Sequence, residues 1–496
     1  MQRTKKYTDQ ELIRIEKLEK FSAKYGSPYN ITKSNFTLSL FEFRKKYASK
    51  SAEELSKENN FCVLSGRIVT IRQTFLVIQS MNVKVQLYIN KETNPTAFEI
   101  LKNYIDVGDI VEASGHVMRT MKNELTLHVN ELKLLSKALK PLPEKYHGLV
   151  DVELRARKRY LDLISNNDAF ETFLLRSKII GKIRFFLNQD GYIELETPIL
   201  TSTIGGAAAK PFKTYYNSLG QDVYLRIATE IALKKLIVGG FEKIYELGRV
   251  FRNEGMDSNH NPEFTTIEIY LAYGNMFDMM DLTEKIIQYI ARELGLTELD
   301  CDSGSKLNLV HPFRKCSMND LIKEEVGIDF LKMKSVDEAL AMAEKYAVEV
   351  QPHQKSIGHI MNLFFAEYCE KKLIQPTFVI GHPVETSPLA KRSLDTPGIT
   401  ERFELFIFGQ EIANAYSELN DPIDQRKRFD QQLVEREQGN CEASDCDEEF
   451  LDALEYGLPP TGGLGIGIDR LVMLFAQKKS MRDVLLFPHM KSTKLP

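Results

Sequence analysis

The chain has 496 residues, of which 43% are hydrophobic and 27% are charged. These proportions are typical of folded globular proteins and exclude a disordered or fibrous chain, while the length predicts more than one domain. The formal net charge is −4, so overall charge does not indicate a nucleic-acid partner. A basic run at 155–159 could form a local phosphate-binding surface, although a solvated helix face is the simpler interpretation.

The six cysteines are scattered, with neither a Cys-x-x-Cys pair nor a dense disulfide framework, so we expect reduced thiols. Charges interrupt the N-terminal segment every few positions, and no apolar run is long enough to span a bilayer. The sequence therefore predicts a cytoplasmic protein without a membrane partner.

The N-terminal third predicts helices followed by a barrel. Thr8-Asp9-Gln10-Glu11 has the spacing of a capping box, and apolar residues then recur at helical spacing, which predicts a helical extension over 1–58. From Phe61 the period changes to two, and about five short strands fit within 59–137. A small closed barrel would suit them. An oligonucleotide-binding (OB) barrel is one version, but other barrels have no nucleic-acid partner.

A break at Pro141-Leu142-Pro143 marks the next boundary, and we place a linker at 138–165. The remaining residues, 166–496, mix helix and strand. Helical periodicity covers 170–188, and the stretch 192–200 is extended, with Pro198 at an edge or interface position. A helical segment is predicted as an insertion at about 300–376.

Two neighbouring segments, 248–254 and 262–270, predict a strand, a loop and a second strand. Residues two apart on a strand share a face. One face then collects five side chains: Arg252, Glu254, Phe264, Glu268 and Tyr270. Taken singly, each has a simpler interpretation as a core residue or a weak surface ion pair. Together they offer a planar cation for oxyanions and an aromatic face for a base.

Near the C-terminus, 462–473 is a glycine-rich strand that runs into a helix. Glycines permit close approach of a ligand to the backbone, and Arg470 at the helix start can reach a polyphosphate. A glycine-rich turn alone would be weak evidence.

These segments, together with 191–200, resemble the three motifs of class II aminoacyl-tRNA synthetases in the family's order. The run from Asn414 to Pro422 resembles the lysyl enzymes specifically. So do 387–390, 205–207, 225–230 and 142–145, and the likeness covers nearly the whole chain. It implies a multidomain α+β protein: a five-stranded OB-type barrel, then a class II catalytic domain with an antiparallel sheet and helices.

The resemblance also implies how each part of lysine is held. The backbone of Gly206 and the carboxylate of Glu230 would hold the α-ammonium, while Arg252 and Asn414 would hold the carboxylate. The side chains expected at the ε-ammonium are Glu268, Tyr270 and Glu418. A buried ammonium needs anionic or hydroxyl acceptors, which this set supplies.

The ATP contacts implied by the resemblance are Arg252, Glu254, His260, Asn261, Phe264, Glu411 and Arg470. Arg252 and Arg470 are the expected catalytic residues, since they would neutralise charge on the phosphates. Glu404 and Glu411 resemble the family's magnesium ligands, and Mg²⁺ is commonly held by one or two carboxylates plus phosphate oxygens. Without the family, two exposed glutamates would be the simpler interpretation.

The barrel is the expected site for tRNA(Lys). Its candidate anticodon contacts are Arg67, Phe75, Gln86 and Glu124. The connection between Arg72 and Phe75 is shortened and lacks a Gly-Lys-containing stretch. The first motif, with Pro198, implies a homodimer.

The implied function is that of a lysine–tRNA ligase: L-lysine is activated with ATP to lysyl-adenylate and transferred to the 3′ end of tRNA(Lys). The lysine carboxylate is already ionised, so activation needs no general base. One alternative is an aspartyl- or asparaginyl-type class II synthetase, which Glu268, Tyr270 and Glu418 disfavour. Another is a non-catalytic nucleic-acid-binding regulator, which would not require Arg252, Phe264 and Arg470.

Overall fold

The computed structural model describes residues 6–143, 149, 151–203, 205–207, 209–301, 304, 306–440 and 446–491. The chain divides into two compact units, Met1–Phe170 and Glu171–Pro496. A separate hydrophobic core lies in the first unit, and three core clusters lie in the second. Among the described residues, no helix combines the length and the apolar character needed to cross a membrane.

The first unit opens with three helices: α1 (Asp9–Tyr25), α2 (Leu40–Tyr47) and α3 (Ala52–Glu58). The predicted capping box at Thr8 is confirmed. The Thr8 N–H donates to Glu11 Oε2 at 2.8 Å, and the Glu11 N–H donates to Thr8 Oγ1 at 3.3 Å. The same box recurs at Ser39 and Ser51, so each helix starts with its first backbone donors satisfied.

Five strands and one helix follow: β1 (Phe61–Arg72), β2 (Phe75–Ser80), β3 (Val83–Tyr88), α4 (Pro95–Asn103), β4 (Ile110–Arg119) and β5 (Leu125–Ser136). The strands close in the order β1-β2-β3-β5-β4, which confirms the predicted five-stranded barrel. Every pair is antiparallel except β3 with β5. Alternate residues such as Leu64, Leu76 and Leu87 are buried inside, and their neighbours face outward.

Two short helices end the first unit: α5 (Val152–Arg157) and α6 (Arg159–Ser165). They contain the basic run, whose arginines pair with nearby acids. The Asp162 carboxylate forms ion pairs with Arg155 at 2.8 Å and with Arg159 at 2.6 Å. Arg157 forms an ion pair with Glu153 at 2.6 Å. These three guanidinium groups are therefore not a free basic surface. Residues 144–148 and 150, within the proposed linker, lie outside the described residues.

The second unit continues with the following elements: α7 (Asn167–Gln189, which starts in the first unit), β6 (Ile193–Glu194), β7 (Leu200–Thr201), β8 (Lys213–Tyr216), β9 (Gln221–Leu225), α8 (Glu230–Val238), β10 (Lys243–Phe251), β11 (Glu263–Ala272), α9 (Met276–Leu294), β12 (Glu298–Asp300), β13 (Lys306–Asn308), β14 (Arg314–Ser317), α10 (Met318–Val326), α11 (Val336–Lys345), α12 (Ile357–Tyr368), β15 (Thr377–Ile380), β16 (Arg402–Ile407), β17 (Gln410–Ser417), α13 (Pro422–Glu437), α14 (Glu448–Glu455), β18 (Thr461–Gly467), α15 (Ile468–Ala476) and α16 (Met481–Val484). The predicted helix over 170–188 is thus confirmed.

An eight-stranded sheet organises this unit, in the order β14-β15-β16-β17-β18-β11-β10-β6. The strands from β15 to β10 pair antiparallel, as predicted, and the two edge pairs, β14 with β15 and β10 with β6, are parallel. Helices α9 and α15 cover the sheet with apolar side chains such as Met279, Ile286 and Leu471. The segment predicted as a helical insertion contains α10, α11 and α12, which pack around Phe330 and Phe364.

Candidate active site

A cavity of about 400 Å³ lies against β11, β17 and β18 in the second unit. Its size suits a small molecule or a nucleotide. All of the predicted active-site residues except Glu404 line it: Gly206, Glu230, Arg252, Glu254, His260, Asn261, Phe264, Glu268, Tyr270, Glu411, Asn414, Glu418 and Arg470. The antiparallel register brings together side chains from distant parts of the sequence, because β18 lies between β11 and β17.

One local expectation about the loop between β10 and β11 was wrong. Strand β10 ends at Phe251, so Arg252 and Glu254 lie beyond it rather than on one strand face. The Arg252 N–H still donates to Pro262 O at 2.8 Å, which holds its backbone across the hairpin. Its guanidinium lies 5.1 Å from the centre of the Phe264 ring, a cation–π distance. The arginine and the ring are therefore brought together by the backbone contact between the ends of the β10–β11 connection. Strand alternation does not place them.

Strand β11 presents Phe264, Glu268 and Tyr270 on one face, as predicted. The Tyr270 hydroxyl donates to Glu268 Oε2 at 3.1 Å, and the Thr229 N–H donates to Glu268 Oε1 at 3.1 Å. Burial, and then the nearby charge of Glu230, raise the pKa of the Glu268 carboxyl to about 7. This carboxylate therefore sits in a dry site where a cationic partner would be strongly favoured.

Two more carboxylates, Glu230 and Glu418, lie at the same end of the cavity. Tyr416 donates its hydroxyl to Glu230 Oε1 at 2.6 Å. Glu418 is 1% exposed, and burial raises its pKa well above the usual range. Lys234 forms an ion pair with Glu418, but neither carboxylate oxygen of Glu418 accepts a hydrogen bond of good geometry from the described residues. A buried acceptor in this condition is costly without a further donor.

Glycine at position 463 makes room for this carboxylate. A Cβ atom there would lie 1.8 Å from Glu418 Oε1 and 2.8 Å from the Tyr270 ring. Any side chain would therefore displace the acidic group. Because β18 is rich in glycine, side chains from β11 and from the end of β17 can approach each other closely across this strand.

The predicted carboxylate-binding residue Asn414 lies on β17 opposite Glu404 on β16. Its Oδ1 accepts from Arg402 Nε at 3.0 Å, which orients the amide. Gly206 has a φ of +88°, and a Cβ atom there would lie 3.3 Å from Glu230 Cβ. Its backbone therefore passes close beside Glu230, as expected for a shared α-ammonium site.

The other end of the cavity contains Arg470 and Glu411. Arg470 Nη1 donates to the Glu411 backbone oxygen at 2.8 Å and to its Oε2 at 3.2 Å. The neighbouring Asp469 is buried. It accepts from the Thr265 N–H at 2.8 Å and pairs with Arg176 of α7. This carboxylate fixes the start of α15 against β11, so Arg470 and Phe264 are held on one rigid frame.

His260 and Asn261 line the cavity from the loop, yet both also stabilise the loop itself. His260 Nδ1 lies 2.8 Å from Asp257 Oδ2, and the His260 side chain lowers the pKa of Asp257. The Asn261 amide donates to Glu263 O at 2.6 Å. These contacts fix the conformation of the loop beside the cavity.

The expected magnesium ligands, Glu404 and Glu411, lie on the adjacent strands β16 and β17. Burial, and then the charge of Glu404, raise the pKa of Glu411, which indicates two carboxylates close enough to repel. Arg402 contacts Glu404 at 2.5 Å. The described residues contain no cluster of three or more acidic, His or Cys side chains fit to hold a metal. The pair fits an ion whose remaining ligands are phosphate oxygens and water.

In the first unit, three of the four expected anticodon residues, Arg67, Phe75 and Gln86, alternate with buried positions on β1, β2 and β3, and so lie on the barrel's outer face. Arg67 Nη1 donates to Gly108 O at 2.8 Å. Glu124 lies just before β5 and pairs with Arg44 at 3.3 Å. The short Arg72 to Phe75 connection is a tight turn, so Phe75 lies at the end of a hairpin.

Phe75 belongs to a row of rings that sequence reasoning missed. Neighbouring strands place five outward rings side by side: Phe75, Tyr88, His128, His116 and Phe61. Three of the ring-to-ring distances are 5.0, 5.4 and 5.3 Å. The row could not be recognised before the strand register was known.

Other residues that line the cavity or contact its lining were also missed, including Lys234, Tyr416, Arg402 and Asp469. Lys234 had a usable signal, since it follows Glu230 by four residues in a helix, a spacing that favours ion pairs. Asp469 had none, because its partners come from distant segments.

Comparison with known proteins agrees with this geometry. Residues 151–491 match the family of class II tRNA synthetases (D, K and N), and residues 62–135 match the OB-fold nucleic acid binding domain. The lysine–tRNA ligase of Mycoplasmoides gallisepticum is 52% identical over 490 residues, which is 98% of this chain and 99% of that protein. The enzymes named lysine–tRNA ligase from Malacoplasma penetrans and Mycoplasma pneumoniae are each 52% identical, over 99% and 98% of this chain and 100% and 99% of their own lengths. The chain therefore belongs to the class II aminoacyl-tRNA synthetases and, within them, to the lysine–tRNA ligase family.

Proposed function

We propose that this enzyme activates L-lysine with ATP and transfers it to tRNA(Lys), using the second-unit cavity for both chemical steps. The observation that supports lysine is the end of the cavity, where the buried carboxylates of Glu230, Glu268 and Glu418 converge with the Tyr270 hydroxyl. A ligand with two ammonium groups suits three acidic groups and a phenol. An aspartate or asparagine side chain would leave these groups unpaired or repelled.

In the proposed binding mode, Glu230 and the Gly206 backbone hold the α-ammonium, and Glu268, Tyr270 and Glu418 hold the ε-ammonium. Arg252 and Asn414 are positioned for the substrate carboxylate. The order of these groups along the cavity supports this binding mode. Glu418 and Tyr270 meet at Gly463 of β18, whereas Asn414 lies opposite Gly465, two residues further along that strand.

ATP would occupy the end of the cavity formed by Phe264, Arg470 and the loop bearing Glu254, His260 and Asn261. The adenine would stack on the Phe264 ring. The lysine carboxylate attacks the α-phosphate, pyrophosphate departs, and lysyl-adenylate forms. Arg252 and Arg470 stabilise the negative charge that develops on the phosphates.

Glu404 and Glu411 would hold Mg²⁺ with the ATP phosphates, and the bound ion would supply charge neutralisation at the phosphoryl group. Arg470 contacts Glu411, so the protein cation and the metal ligand address the same phosphate region. The 3′-hydroxyl of the terminal adenosine of tRNA then attacks the lysyl carbonyl and AMP leaves.

The barrel would recognise unpaired anticodon bases on its outer face. Phe75 and the adjoining Tyr88 ring offer aromatic surfaces for stacking, while Gln86 offers hydrogen bonds to base edges. Arg67 and Glu124 already have partners within the first unit, so their base contacts would require exchange of those bonds.

A homodimer is also proposed. Four large apolar side chains around the first motif are each about half exposed: Phe185, Ile193, Ile199 and Leu200. Exposed apolar side chains of this kind favour burial of this surface against a second copy of the chain. Light scattering on an active preparation at micromolar concentration should give twice the chain mass, and a monomer would refute this assembly. A cytoplasmic location remains a prediction.

Amino-acid-dependent exchange between ATP and pyrophosphate, measured with each of the standard amino acids, tests the function. We expect exchange with lysine and at most weak exchange with the others. Exchange with aspartate or asparagine would favour the alternative specificity. Exchange with none, in a folded preparation, would favour the non-catalytic alternative.

A further inference from the structure

A lysine of the protein's own chain, Lys234, lies among the carboxylates proposed to bind substrate lysine. Its Nζ atom is 2.5 Å from Glu230 Oε1 and is ion-paired with Glu418. The side chain is 0% exposed, whereas both glutamates line the cavity. Lys234 therefore lies behind the carboxylates, out of contact with solvent.

The surroundings of this ammonium favour a fixed positive charge. Its Nζ is 5.5 Å from the centre of the Tyr416 ring and 5.7 Å from that of Phe450. Both are cation–π distances in a dry environment. The two carboxylates overcome the effect of burial, so the pKa of Lys234 is raised rather than lowered. The residue thus stays charged at neutral pH and has no path to leave its place.

The charges that face this region come from three elements besides Lys234 itself: Glu230 of α8, Glu268 and Tyr270 of β11, and Tyr416 and Glu418 on and just after β17. Both tyrosines are neutral, because burial raises their pKa values well above the usual range. When the three glutamates are ionised, they and Lys234 sum to two negative charges. The proposed substrate brings two ammonium groups to this end of the cavity, and its carboxylate goes to Arg252.

We propose that Lys234 is a positioning residue that sets the charge of the amino-acid pocket to two negative units and so matches it to the two ammonium groups of lysine. This inference rests on the proposed function and deepens it. It assigns specificity to a side chain that need not touch the substrate.

The physical reason lies in the three carboxylates. Three like charges in a buried space cannot all stay ionised without a compensating cation, so loss of Lys234 would be met by proton uptake on Glu418 or Glu268. A protonated carboxyl is a poor partner for an ammonium group. Lysine binding would then have to expel that proton, and the affinity for lysine would depend steeply on pH.

The test compares Lys234→Met, which keeps the length and removes the charge, with Lys234→Arg, which keeps the charge. Lys235→Met is the matched control, because Lys235 is the next residue on α8 and pairs with Glu449 at 3.0 Å at the surface. Lysine binding is measured by calorimetry in two buffers of different ionisation enthalpy, which yields the protons released per lysine bound.

At pH 8 the wild type should release fewer than about 0.5 protons. Glu268, with a pKa of about 7, is then mostly ionised, and the charge of Lys234 opposes the effect of burial on the pKa of Glu418. Lys234→Met should release at least about 0.5 protons more, and the acidic limb of its kcat/KM for lysine should move up by about one pH unit or more. Lys235→Met should match the wild type in both measurements, and Lys234→Arg, which keeps the charge, should release as few protons as the wild type.

Unchanged proton release and an unshifted pH profile in folded Lys234→Met would overturn the proposal. Should that variant fail to fold, the wild type alone decides. Release of a whole proton at pH 8 would mean that a carboxyl is protonated despite Lys234, which contradicts the proposal, and near-zero release would support it. Failure of the proposed function is distinct, because the wild type would then bind no lysine.

Discussion

The cavity of the second unit and the outer face of the barrel both gather polar and aromatic side chains, but under different conditions. In the cavity, Glu268 and Glu418 are buried, and burial raises the pKa of each. On the barrel, Phe75 and Gln86 are partly exposed on regular strands. Buried charges are costly to leave unpaired, whereas partly exposed groups exchange water for ligand at little cost. We therefore expect sharp, large mutational effects in the cavity and graded effects on the barrel.

The largest effect is expected from Glu418→Gln. The change removes one negative charge beside Lys234 and the proposed ε-ammonium site while keeping the shape. The kcat/KM for lysine in pyrophosphate exchange should fall by a factor equivalent to about 2–5 kcal/mol of lost transition-state stabilisation. The KM for ATP should change far less. Glu437→Gln, at an exposed carboxylate on α13, is the matched control. An unchanged lysine KM would contradict the assigned role of Glu418.

Gly463→Ala should come next, because the new methyl group would lie 1.8 Å from Glu418 Oε1. Forcing this carboxylate aside should cost about 1–3 kcal/mol in lysine kcat/KM. Gly181→Ala is the control, since a Cβ atom at that helical position meets no atom within 4 Å. Equal activity in the two variants would show that Glu418 can relax away from β18 freely.

On the barrel, Phe75→Ala should weaken tRNA charging by about 1–3 kcal/mol, the usual contribution of one base stacked on an aromatic ring. Exchange of pyrophosphate without tRNA should stay near the wild-type rate, because the cavity lies wholly in the second unit. Phe36→Ala, at another exposed phenylalanine of the first unit, serves as control. Equal loss of both activities, with the fold intact by circular dichroism, would refute the role of Phe75.

The smallest effect is expected from Glu124→Ala, which breaks the pair with Arg44. Both side chains are nearly half exposed, at 44% and 48%. Exposed pairs contribute little, so the free energy of unfolding should change by less than about 1 kcal/mol in denaturant titration. A larger loss would show that exposed ion pairs of this unit contribute more to the free energy of unfolding than their exposure indicates.

Regular patterns were predictable from the sequence, and contacts between distant segments were not. Alternation from Phe61 onward predicted the five strands, but closure of the barrel depends on the parallel pairing of Gln86 with Thr126, which leaves no local signal. Resemblance to the family pointed to residues that, apart from Glu404, line one cavity. It did not reveal that β10 stops at Phe251, because a strand and an extended loop look alike locally.

Lys234 is a second example of a contact whose importance could not be predicted from the sequence. A lysine four residues after a glutamate on a helix is ordinarily a weak surface pair. The fold buries this lysine against Phe450 and Tyr416, where the carboxylates of Glu230 and Glu418 keep it charged. Sequence spacing indicated the partner, whereas the burial that makes the pairing consequential came from tertiary structure.

The buried carboxylate of Asp469 has a consequence for how the enzyme responds to heat. It joins the first turn of α15 to the Thr265 amide of β11 and to Arg176. Arg470 and Phe264, the two residues proposed to enclose the nucleotide, are each next in sequence to one end of this joint. The gap between them cannot widen gradually while the joint is intact. On warming, the ATP site should therefore be lost together with the fold rather than in advance of it.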